Sequence, residues 1–458
     1  MSAPRSVAPE AAPEAPFDLV SHVDVHLRAW APPGAHLLLG LSGGIDSVAL
    51  LAVLAGLSAS GRFSLRALHV NHGISPNAAD WSRFCAGLCE AMGIPLSVET
   101  VDLAPLRHLG LEAAARVARY AAFGRHPGDF LVLAQHRDDQ AETVLLQLLR
   151  GAGLPGVSGM AAVMPQGAGP AHLAVLRPLL DVPRRDIAAF ARGRGFAWIE
   201  DESNGDIRRD RNFIRHRVLP EIEQRFGAAR KVIARSARHF AQAAILLDEL
   251  GRNDLDSARH ADGWRVDSLR ALGPARAKNA LRALCRAQGV ASPAEPRLEE
   301  LWRQLRRARE DASMRIDIDA RMFHRYRGTL YVQARQSEPV ANWSALWEGE
   351  PKLALPELGG VLLFKAEEGR GLSVEKLRQA PVTVRLRCGG EVFRPDAKRP
   401  RRTLKNLMQE RGIPPWKRRG LPLVYCGEHL VCVPEIGEDA EWRAQAGEAG
   451  LIVSWESL

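Results

Sequence analysis

The stretch HLLLGLSGGIDSVALLAVLAGL, residues 36–57, decides the fold because it predicts a strand, a glycine turn and a helix in direct succession. His36 to Leu41 is a short apolar run typical of a buried strand, and the pattern of Val48 to Leu57 predicts a helix. The turn between them places backbone N–H groups at a helix N-terminus, which carries about half a positive charge. Such a turn is suited to binding an anion.

This turn differs from the common mononucleotide-binding loop, in which a lysine precedes the hydroxyl residue. Here Asp46 precedes Ser47, and a carboxylate beside phosphates is explained if it binds a Mg²⁺ ion that bridges them. The arrangement resembles the pyrophosphate-binding loop (PP-loop) of ATP pyrophosphatases, which cleave ATP between its α and β phosphates. The alternative is an ordinary glycine turn in a βα unit. The predicted ATP-binding residues are Ser42, Gly43, Gly44, Ile45, Asp46 and Ser47.

The composition is that of a globular protein with an excess of basic residues. The chain has 458 residues and a formal net charge of +9, which suits a polyanionic partner. Its six scattered cysteines favour a reducing, cytoplasmic environment, and no apolar stretch is long enough to span a bilayer. Residues 1–17 are rich in Ala and Pro without the apolar core of a secretory signal, so we expect a disordered tail.

Alternating strand and helix patterns in residues 18–222 predict an α/β domain with a doubly wound, mostly parallel sheet. Ligands of such sheets bind beyond the carboxyl ends of the strands. The predicted strands are Leu37–Leu41, Leu65–Val70, Leu96–Val101 and Phe130–Ala134, and the predicted helices are Val48–Leu57, Asp80–Met92, Gly110–Phe123 and Asp138–Leu149.

Two further domains are predicted after this one. Residues 225–335 have apolar positions three and four apart and Arg-rich outer faces, which predicts a mainly helical middle domain. It ends in a β-hairpin with Arg327-Gly328 at its turn. We expect residues 336–380 to be a connecting segment and residues 381–458 to form a small, basic α+β domain.

One predicted helix, GLEAAARVARYAAF (110–123), carries charged side chains along one face. Glu112, Arg116 and Arg119 lie on that face with Tyr120, whereas the opposite face consists of small alanines suited to close packing on a sheet. The charged face is therefore a candidate edge of a cleft. A surface ladder of salt bridges is the structural alternative.

A second helix, AQHRDDQAETVLLQLLR (134–150), begins where a strand ends and has three acids in one turn. Asp138, Asp139 and Glu142 lie beside His136, and together they could hold Mg²⁺, accept protons or bind an amine. Acids near a helix N-terminus are also common for purely structural reasons.

Two basic segments are candidate RNA contacts. EDESNGDIRRDRNFIRHRVLP (200–220) has arginines at near-helical spacing, and residues 385–419 contain twelve basic residues against three acidic ones. A solvated basic face is the alternative for each. The predicted tRNA-binding residues are Arg208, Arg211 and Arg215 in the first segment and Arg399, Arg401, Arg402, Lys405, Trp416 and Arg418 in the second.

The motifs LSGGIDS, GLEAAARVARY, AQHRDDQAET, LLRGAGLPGVSGM, RPLLDV and ESNGDIRRDRNFIRHRVLP together closely resemble those of the tRNA(Ile)-lysidine synthase family. The resemblance is strong over residues 35–220, and residues 389–433 look like the family's C-terminal tRNA-binding module. One departure is visible, because Gln135-His136 stands where the family usually has a pair of histidines. Any function of that pair is then expected of His136 alone.

The resemblance implies that the wobble cytidine of tRNA(Ile) with a CAU anticodon is adenylated on its 2-carbonyl oxygen by ATP. Free L-lysine then displaces AMP, which changes codon reading from AUG to AUA and charging from methionine to isoleucine. Asp46 would hold Mg²⁺, and Glu112, Arg119 and His136 would recognise lysine or the nucleotide. The implied catalytic residues are Asp46, Asp138, Asp139, Glu142 and Arg116.

Other readings stay open at this point. The chain could be a PP-loop enzyme that thiolates tRNA, a synthetase of the NAD or GMP type, or an RNA-binding protein without activity. Thiolation depends on cysteine pairs, and Cys85 and Cys89 have the wrong spacing, which favours buried packing. The sequence leaves open the oligomeric state, a homodimer included, and whether loop Gly151–Gly169 acts as a lid.

Overall fold

The computed structural model describes residues 17–168, 172–290, 293–307, 314–335 and 343–457. They fall into two compact units divided between Leu250 and Gly251. The expected disordered tail lies outside the described residues except for Phe17. None of the helices in the described ranges combines the length and the apolar character that crossing a membrane requires.

The first unit is built on a six-stranded sheet. Its strands are β1 (His36–Gly40), β2 (Ser64–Asn71), β3 (Leu96–Thr100), β4 (Phe130–Val132), β5 (Val163–Met164) and β6 (Ala174–Leu176). They lie in the order β3-β2-β1-β4-β6-β5, and all neighbours are parallel except β5 and β6. The chain order therefore reverses between β1 and β4, the position at which such sheets bind ligands.

Helices cover the sheet and continue beyond it. They are α1 (Leu19–Trp30), α2 (Ile45–Ser58), α3 (Ala78–Ala91), α4 (Leu111–Gly124), α5 (Arg137–Leu149), α6 (Leu154–Val157), α7 (Arg184–Gly193), α8 (Asp210–Phe213), α9 (Leu219–Arg225) and α10 (Ala229–Ser257). A π-helical turn, Ile214–Val218, joins α8 to α9. Residues Val48 to Leu51 of α2 are fully buried, because this helix is apolar on every side and lies inside the unit.

The predicted α/β fold class is confirmed, and each of the eight predicted elements is present with ends shifted by no more than three residues. The strands β5 and β6 were not predicted, because two or three residues are too few to show a period.

The second unit begins with a helical and β-sheet region. It contains the helices α11 (Val266–Ala271), α12 (Pro274–Ala287) and α13 (Glu295–Arg307) and the strands β7 (Arg259–His260), β8 (Gly263–Arg265), β9 (Met314–Ile318), β10 (Arg321–Tyr326) and β11 (Thr329–Ala334). The predicted turn at Arg327-Gly328 is confirmed, with φ angles of 47° and 73°. A second turn with Asp319 at φ 50° adds a strand that the hairpin prediction missed.

The rest of the second unit is richer in strands than expected. It contains β12 (Ser344–Trp347), β13 (Lys352–Leu355), β14 (Gly360–Glu368), β15 (Leu372–Ser373), α14 (Val374–Leu377), β16 (Val382–Arg385), β17 (Val392–Phe393), β18 (Arg402–Thr403), α15 (Leu404–Glu410), α16 (Pro415–Gly420), β19 (Leu423–Cys426), β20 (His429–Val433), β21 (Gly437–Glu438) and β22 (Ala449–Ser457). The expectation of a connecting segment at 336–380 is corrected for residues 343–380, because β12 pairs with β16 and β14 pairs with β22 along nine residues; residues 336–342 lie outside the described residues.

Candidate active site

A cavity of about 820 Å³ opens at the carboxyl ends of β1, β2 and β4. Cavities of roughly 300–1,000 Å³ are typical of small-molecule sites. The cavity is lined by residues that follow those strands, by one face of α4 and by the segment before α8. Its polar wall includes Ser42, Asp46, Ser47, His69, Asn71, His72, Glu112, Arg119, Gln135, Asp139, Asp201, Glu202, Ser203, Arg209 and Asp210.

The turn between β1 and α2 has the features of an anion site. Gly44 is the N-cap of α2 and its N–H donates to Ser42 Oγ at 3.3 Å, whereas no side chain of the described residues binds the Ile45 and Asp46 amides. The Ser42 and Ser47 hydroxyl oxygens lie 3.1 Å apart, and Ser47 Oγ donates to the Gly44 carbonyl at 2.9 Å. Backbone amides and hydroxyl groups therefore converge at the N-terminus of a buried helix.

Gly43 is required at this turn for two reasons. Its φ of 83° is a conformation that L side chains rarely adopt, and a Cβ atom there would lie 2.3 Å from Ile199 Cδ1. The Ile199 N–H also donates to the Gly43 carbonyl at 2.8 Å, which fixes the turn against the segment after α7.

Asp46 fits the role of a magnesium ligand. Its Oδ1 atom is buried and accepts no hydrogen bond from the described residues, although Arg184 Nε lies 3.7 Å away. The described residues contain no cluster of three His, Cys, Asp or Glu side chains that could hold a metal. A single carboxylate is nevertheless sufficient for Mg²⁺, which is commonly held by one or two carboxylates together with substrate phosphates.

Two arginines neutralise two of the candidate catalytic acids. Arg211 donates to Glu142 Oε2 at 2.8 Å and to Asp139 Oδ1 at 2.9 Å. Arg215 donates to Glu142 Oε1 at 2.6 Å and to Asp139 Oδ1 at 3.1 Å. The Glu142 side chain is only 1 % exposed, whereas Asp139 lines the cavity. We call these four residues the ion-pair cluster.

His136 connects the ion-pair cluster to Asp46. Its Nε2 atom lies 3.6 Å from Asp46 Oδ2 and 3.4 Å from Asp139 Oδ2, and its Nδ1 atom accepts a long, 3.3 Å bond from the Asp139 N–H. Burial opposes a charge on this ring, but Asp139 and Asp46 outweigh it and raise the pKa of His136 above its ordinary value. Burial also opposes the charge of Asp139, yet His136 and the two arginines lower the pKa of that carboxyl.

The remaining predicted site residues of the first unit are placed differently. Glu112 and Arg119 line the cavity, and Arg119 Nε lies 3.4 Å from His72 Nε2. Arg116 is not among the lining residues and lies over the ring of the buried Tyr120 at 5.1 Å. Asp138 also lies outside the lining and accepts from the Arg184 N–H at 3.3 Å.

Arg177 is a residue to which the sequence analysis assigned no role. It follows β6 directly and is 1 % exposed, and its guanidinium donates to Gln135 Oε1 and to the Ala161 carbonyl. An arginine directly after an apolar strand, in the quoted motif RPLLDV, was the available signal. Arginine is rarely buried completely, so a buried one is informative.

Comparisons with known proteins give matches in both units of the chain. A PP-loop domain model matches residues 22–222, a TilS substrate binding domain model matches 265–331, and a TilS substrate C-terminal domain model matches 382–455. The tRNA(Ile)-lysidine synthase of Nitrosomonas europaea is 42% identical over 96% of this chain and 96% of its own. The chain belongs to the tRNA(Ile)-lysidine synthase family. The resemblance expected from the motifs is confirmed.

Other members of this family are similar to the chain at nearly the same level. The tRNA(Ile)-lysidine synthase of an Azoarcus species is 40% identical over 94% of this chain and 94% of its own. That of Methylococcus capsulatus is 40% identical over 93% of this chain and 98% of its own. The similarity therefore extends over both units rather than the PP-loop domain alone.

The residues predicted to bind tRNA fall into two groups in the structure. The Arg208 side chain is 89% exposed and pairs with Asp206. The side chains of Arg399, Arg401 and Lys405 are exposed as well. Arg402 is half-buried and pairs with Glu410. The other group is used within the protein, because Arg211 and Arg215 belong to the ion-pair cluster.

Trp416 and Arg418 also make contacts inside the protein. Trp416 stacks on His324 with ring centroids 4.3 Å apart, and Arg418 is buried, with its guanidinium donating to the Ile413 carbonyl and to the Tyr326 hydroxyl. Both side chains therefore join α16 to β10, and this accounts for a tryptophan and an arginine that the sequence analysis assigned to RNA.

Cys85 and Cys89 are buried, as expected for packing rather than sulfur transfer. Burial raises the pKa of the Cys85 thiol to about 12 and that of Cys89 to about 11. Neither thiol forms an appreciable amount of thiolate at neutral pH, and the thiolate is the nucleophilic form. The geometry therefore gives no support to the thiolation alternative.

Two histidines of this site should have pKa values on opposite sides of the ordinary value of histidine. Burial, with the positive charges of Arg119 and His69, lowers the pKa of His72 to about 4, whereas that of His136 is raised above 6.5. NMR titration of the ring resonances should show His72 neutral from pH 5.5 to 9 and His136 changing above pH 6.5. The stabilising charge of His136 is then complete below pH 6.5 and is lost as pH rises through its raised pKa. A His136 midpoint below 6.5 would show that the Asp139 N–H bond to Nδ1 outweighs the carboxylates.

Proposed function

We propose that the protein ligates L-lysine to the 2-position of the wobble cytidine in tRNA(Ile) with a CAU anticodon, consuming ATP and releasing AMP and pyrophosphate. The observation that carries this proposal is the PP-loop turn with Asp46 at the wall of a cavity that also exposes Asp139. The full-length similarity to proteins named tRNA(Ile)-lysidine synthase supports the choice of substrates.

In the first step, the 2-carbonyl oxygen of cytidine forms a bond to the α phosphorus of ATP. The bond between that phosphorus and the bridging oxygen breaks, and its electron pair leaves on pyrophosphate. The amides at the start of α2, with Ser42 and Ser47, bind the oxygens on which charge accumulates. Asp46 would hold Mg²⁺, which when bound neutralises part of the pyrophosphate charge.

In the second step, lysine Nζ forms a bond to C2 of the base, the C2–O bond breaks, and AMP leaves. The ε-ammonium group has no lone pair, so it loses one proton before this bond forms. Asp139 is the acid of the 138–142 group that lines the cavity, and its lowered pKa keeps it ionised at neutral pH. As a carboxylate it binds and orients the ε-ammonium group; its lowered pKa makes it a weak base, so the proton passes to solvent water. Glu142 acts as a positioning residue through the two arginines.

The tRNA contributes a single-stranded base that can leave the anticodon loop and enter the cavity. Contacts away from that base fall to exposed basic side chains of the C-terminal region, among them Arg399, Arg401 and Lys405. We place the reaction in the cytoplasm, where reducing conditions keep cysteines as the free thiols seen in this structure.

The reaction is tested by incubating the protein with ATP, labelled lysine and bulk tRNA. We expect label that stays on the RNA through mild alkali, which cleaves aminoacyl esters. Asp46→Ala should slow formation of adenylated tRNA by about 100-fold, because one preorganised charged group at the phosphates is lost. Asp256→Ala, an exposed aspartate of α10, is the matched control and should react as the wild type does.

Two outcomes would contradict this account separately. Absence of alkali-stable label on functional tRNA would rule out lysine ligation. An Asp46→Ala variant that reacts at the wild-type rate would leave ligation intact and remove Asp46 from the metal site.

The exposed basic side chains give a second prediction. The double variant Arg401→Glu/Lys405→Glu should weaken tRNA binding and make the logarithm of affinity depend less on the logarithm of salt concentration, by about 1–2 in slope. Filter binding or fluorescence anisotropy across a salt series measures both. Arg66→Glu/Arg192→Glu changes net charge equally at exposed positions of the first unit and should retain affinity. Equal affinities for both double variants would remove Arg401 and Lys405 from the interface.

A further inference from the structure

We propose that Gln135 is a catalytic residue that donates a hydrogen bond to the α-phosphate of ATP during adenylyl transfer, and that buried Arg177 orients it for this task. The inference rests on the proposed function and adds a residue to it. Its basis is the contact between these two side chains at the wall of the cavity.

The guanidinium group of buried Arg177 binds uncharged hydrogen-bond acceptors. Its Nε donates to Gln135 Oε1, one terminal nitrogen donates to the Ala161 carbonyl at 2.7 Å, and the Tyr120 hydroxyl is a third partner. Within the described ranges no carboxylate forms an ion pair with it. Since the side chain is 1% exposed, each of these acceptors is needed to offset the cost of burying a charge.

This contact determines which way the Gln135 amide points. A guanidinium group only donates hydrogen bonds, so the amide atom that faces Arg177 has to be the oxygen. The assignment thus follows from chemistry and not from the shape of the amide, whose two ends look alike. The Gln135 NH₂ group is consequently directed away from Arg177, and Gln135 lines the cavity.

The position of Gln135 relates this donor to the reacting phosphate. Gln135 follows β4, the neighbour of β1, whose end leads into the PP-loop turn. The next residue, His136, has its Nε2 atom 3.6 Å from Asp46 Oδ2. Gln135, Ser42 and Asp46 line the same cavity, in which we place the phosphates.

The Gln135 NH₂ group donates its hydrogen bond to the α-phosphate. As the cytidine oxygen bonds to the α phosphorus and pyrophosphate leaves with the bond pair, the non-bridging α oxygens stay charged and move. A donor that is already oriented stabilises that arrangement without reorganising.

A histidine at position 135 could meet the same two requirements. A neutral imidazole at position 135 could accept from Arg177 through one ring nitrogen and donate into the cavity through the other. Glutamine offers the same acceptor and the same donor without a titratable group. A glutamate would keep the acceptor for Arg177 and replace the donor by a negatively charged oxygen.

Glutamine, histidine and glutamate at position 135 distinguish a residue that donates to the phosphate from one that only holds Arg177. The measurement is the single-turnover rate of adenylated tRNA formation with ATP, Mg²⁺ and tRNA in the absence of lysine. Gln135→Glu should slow it by about 100-fold while melting temperature and tRNA affinity stay unchanged, and Gln135→His should stay within about threefold of the wild type. Gln242→Glu introduces the same charge at an exposed position of α10 and should leave the rate unchanged.

A structural role limited to holding Arg177 predicts instead that Gln135→Glu retains activity, because the carboxylate still accepts from the arginine. Wild-type rates in a folded Gln135→Glu variant would therefore overturn the inference. A folded Gln135→His variant as slow as Gln135→Glu would overturn it as well. If the wild type itself forms no adenylated tRNA, the proposed function fails, and this outcome is distinct from both.

Discussion

The ion-pair cluster is the interaction on which the rest of the active site depends. Arg211 and Arg215 contact both Asp139 and Glu142, and Glu142 is almost completely buried. Removing one partner of a buried ion pair commonly costs about 3–5 kcal/mol, because the other charge is left without compensation. The cluster joins α5 to the segment of α8 and the π-helical turn, and such turns are frequent at functional sites. It therefore fixes the wall of the cavity as well as the charge of its acids.

This neutralisation has a chemical consequence. A triphosphate has to bind beside Asp46, and two further uncompensated carboxylates nearby would repel it. With the arginines in place the four residues of the cluster carry no net charge, yet Asp139 still exposes a carboxylate to the cavity. His136 carries the connection from this carboxylate to Asp46. The phosphates can then bind at the N-terminus of α2 and the lysine amine beside α5, within the same cavity.

The sequence predicts the parts of this site that depend on local pattern. The strand, turn and helix of residues 36–57 follow from apolar runs and glycines, and the lining positions of Glu112 and Arg119 follow from helical spacing. The partners of Arg211 and Arg215 could not be predicted, since their contacts reach back 69 to 76 residues. Arginines at this spacing are equally compatible with RNA, solvent or buried acids. The stacking of Trp416 on His324 could not be predicted either, because it depends on tertiary packing.

The central claim is that the PP-loop turn binds the phosphates while the ion-pair cluster stays closed beside it. A crystal structure of the protein with Mg²⁺ and an ATP analogue that has a methylene bridge between its α and β phosphates tests this directly. We expect the β and γ phosphates on the amides and hydroxyls of residues 42–47, with Arg211 and Arg215 still bound to Glu142. Phosphates bound elsewhere, or arginines that leave Glu142 to contact them, would contradict the account.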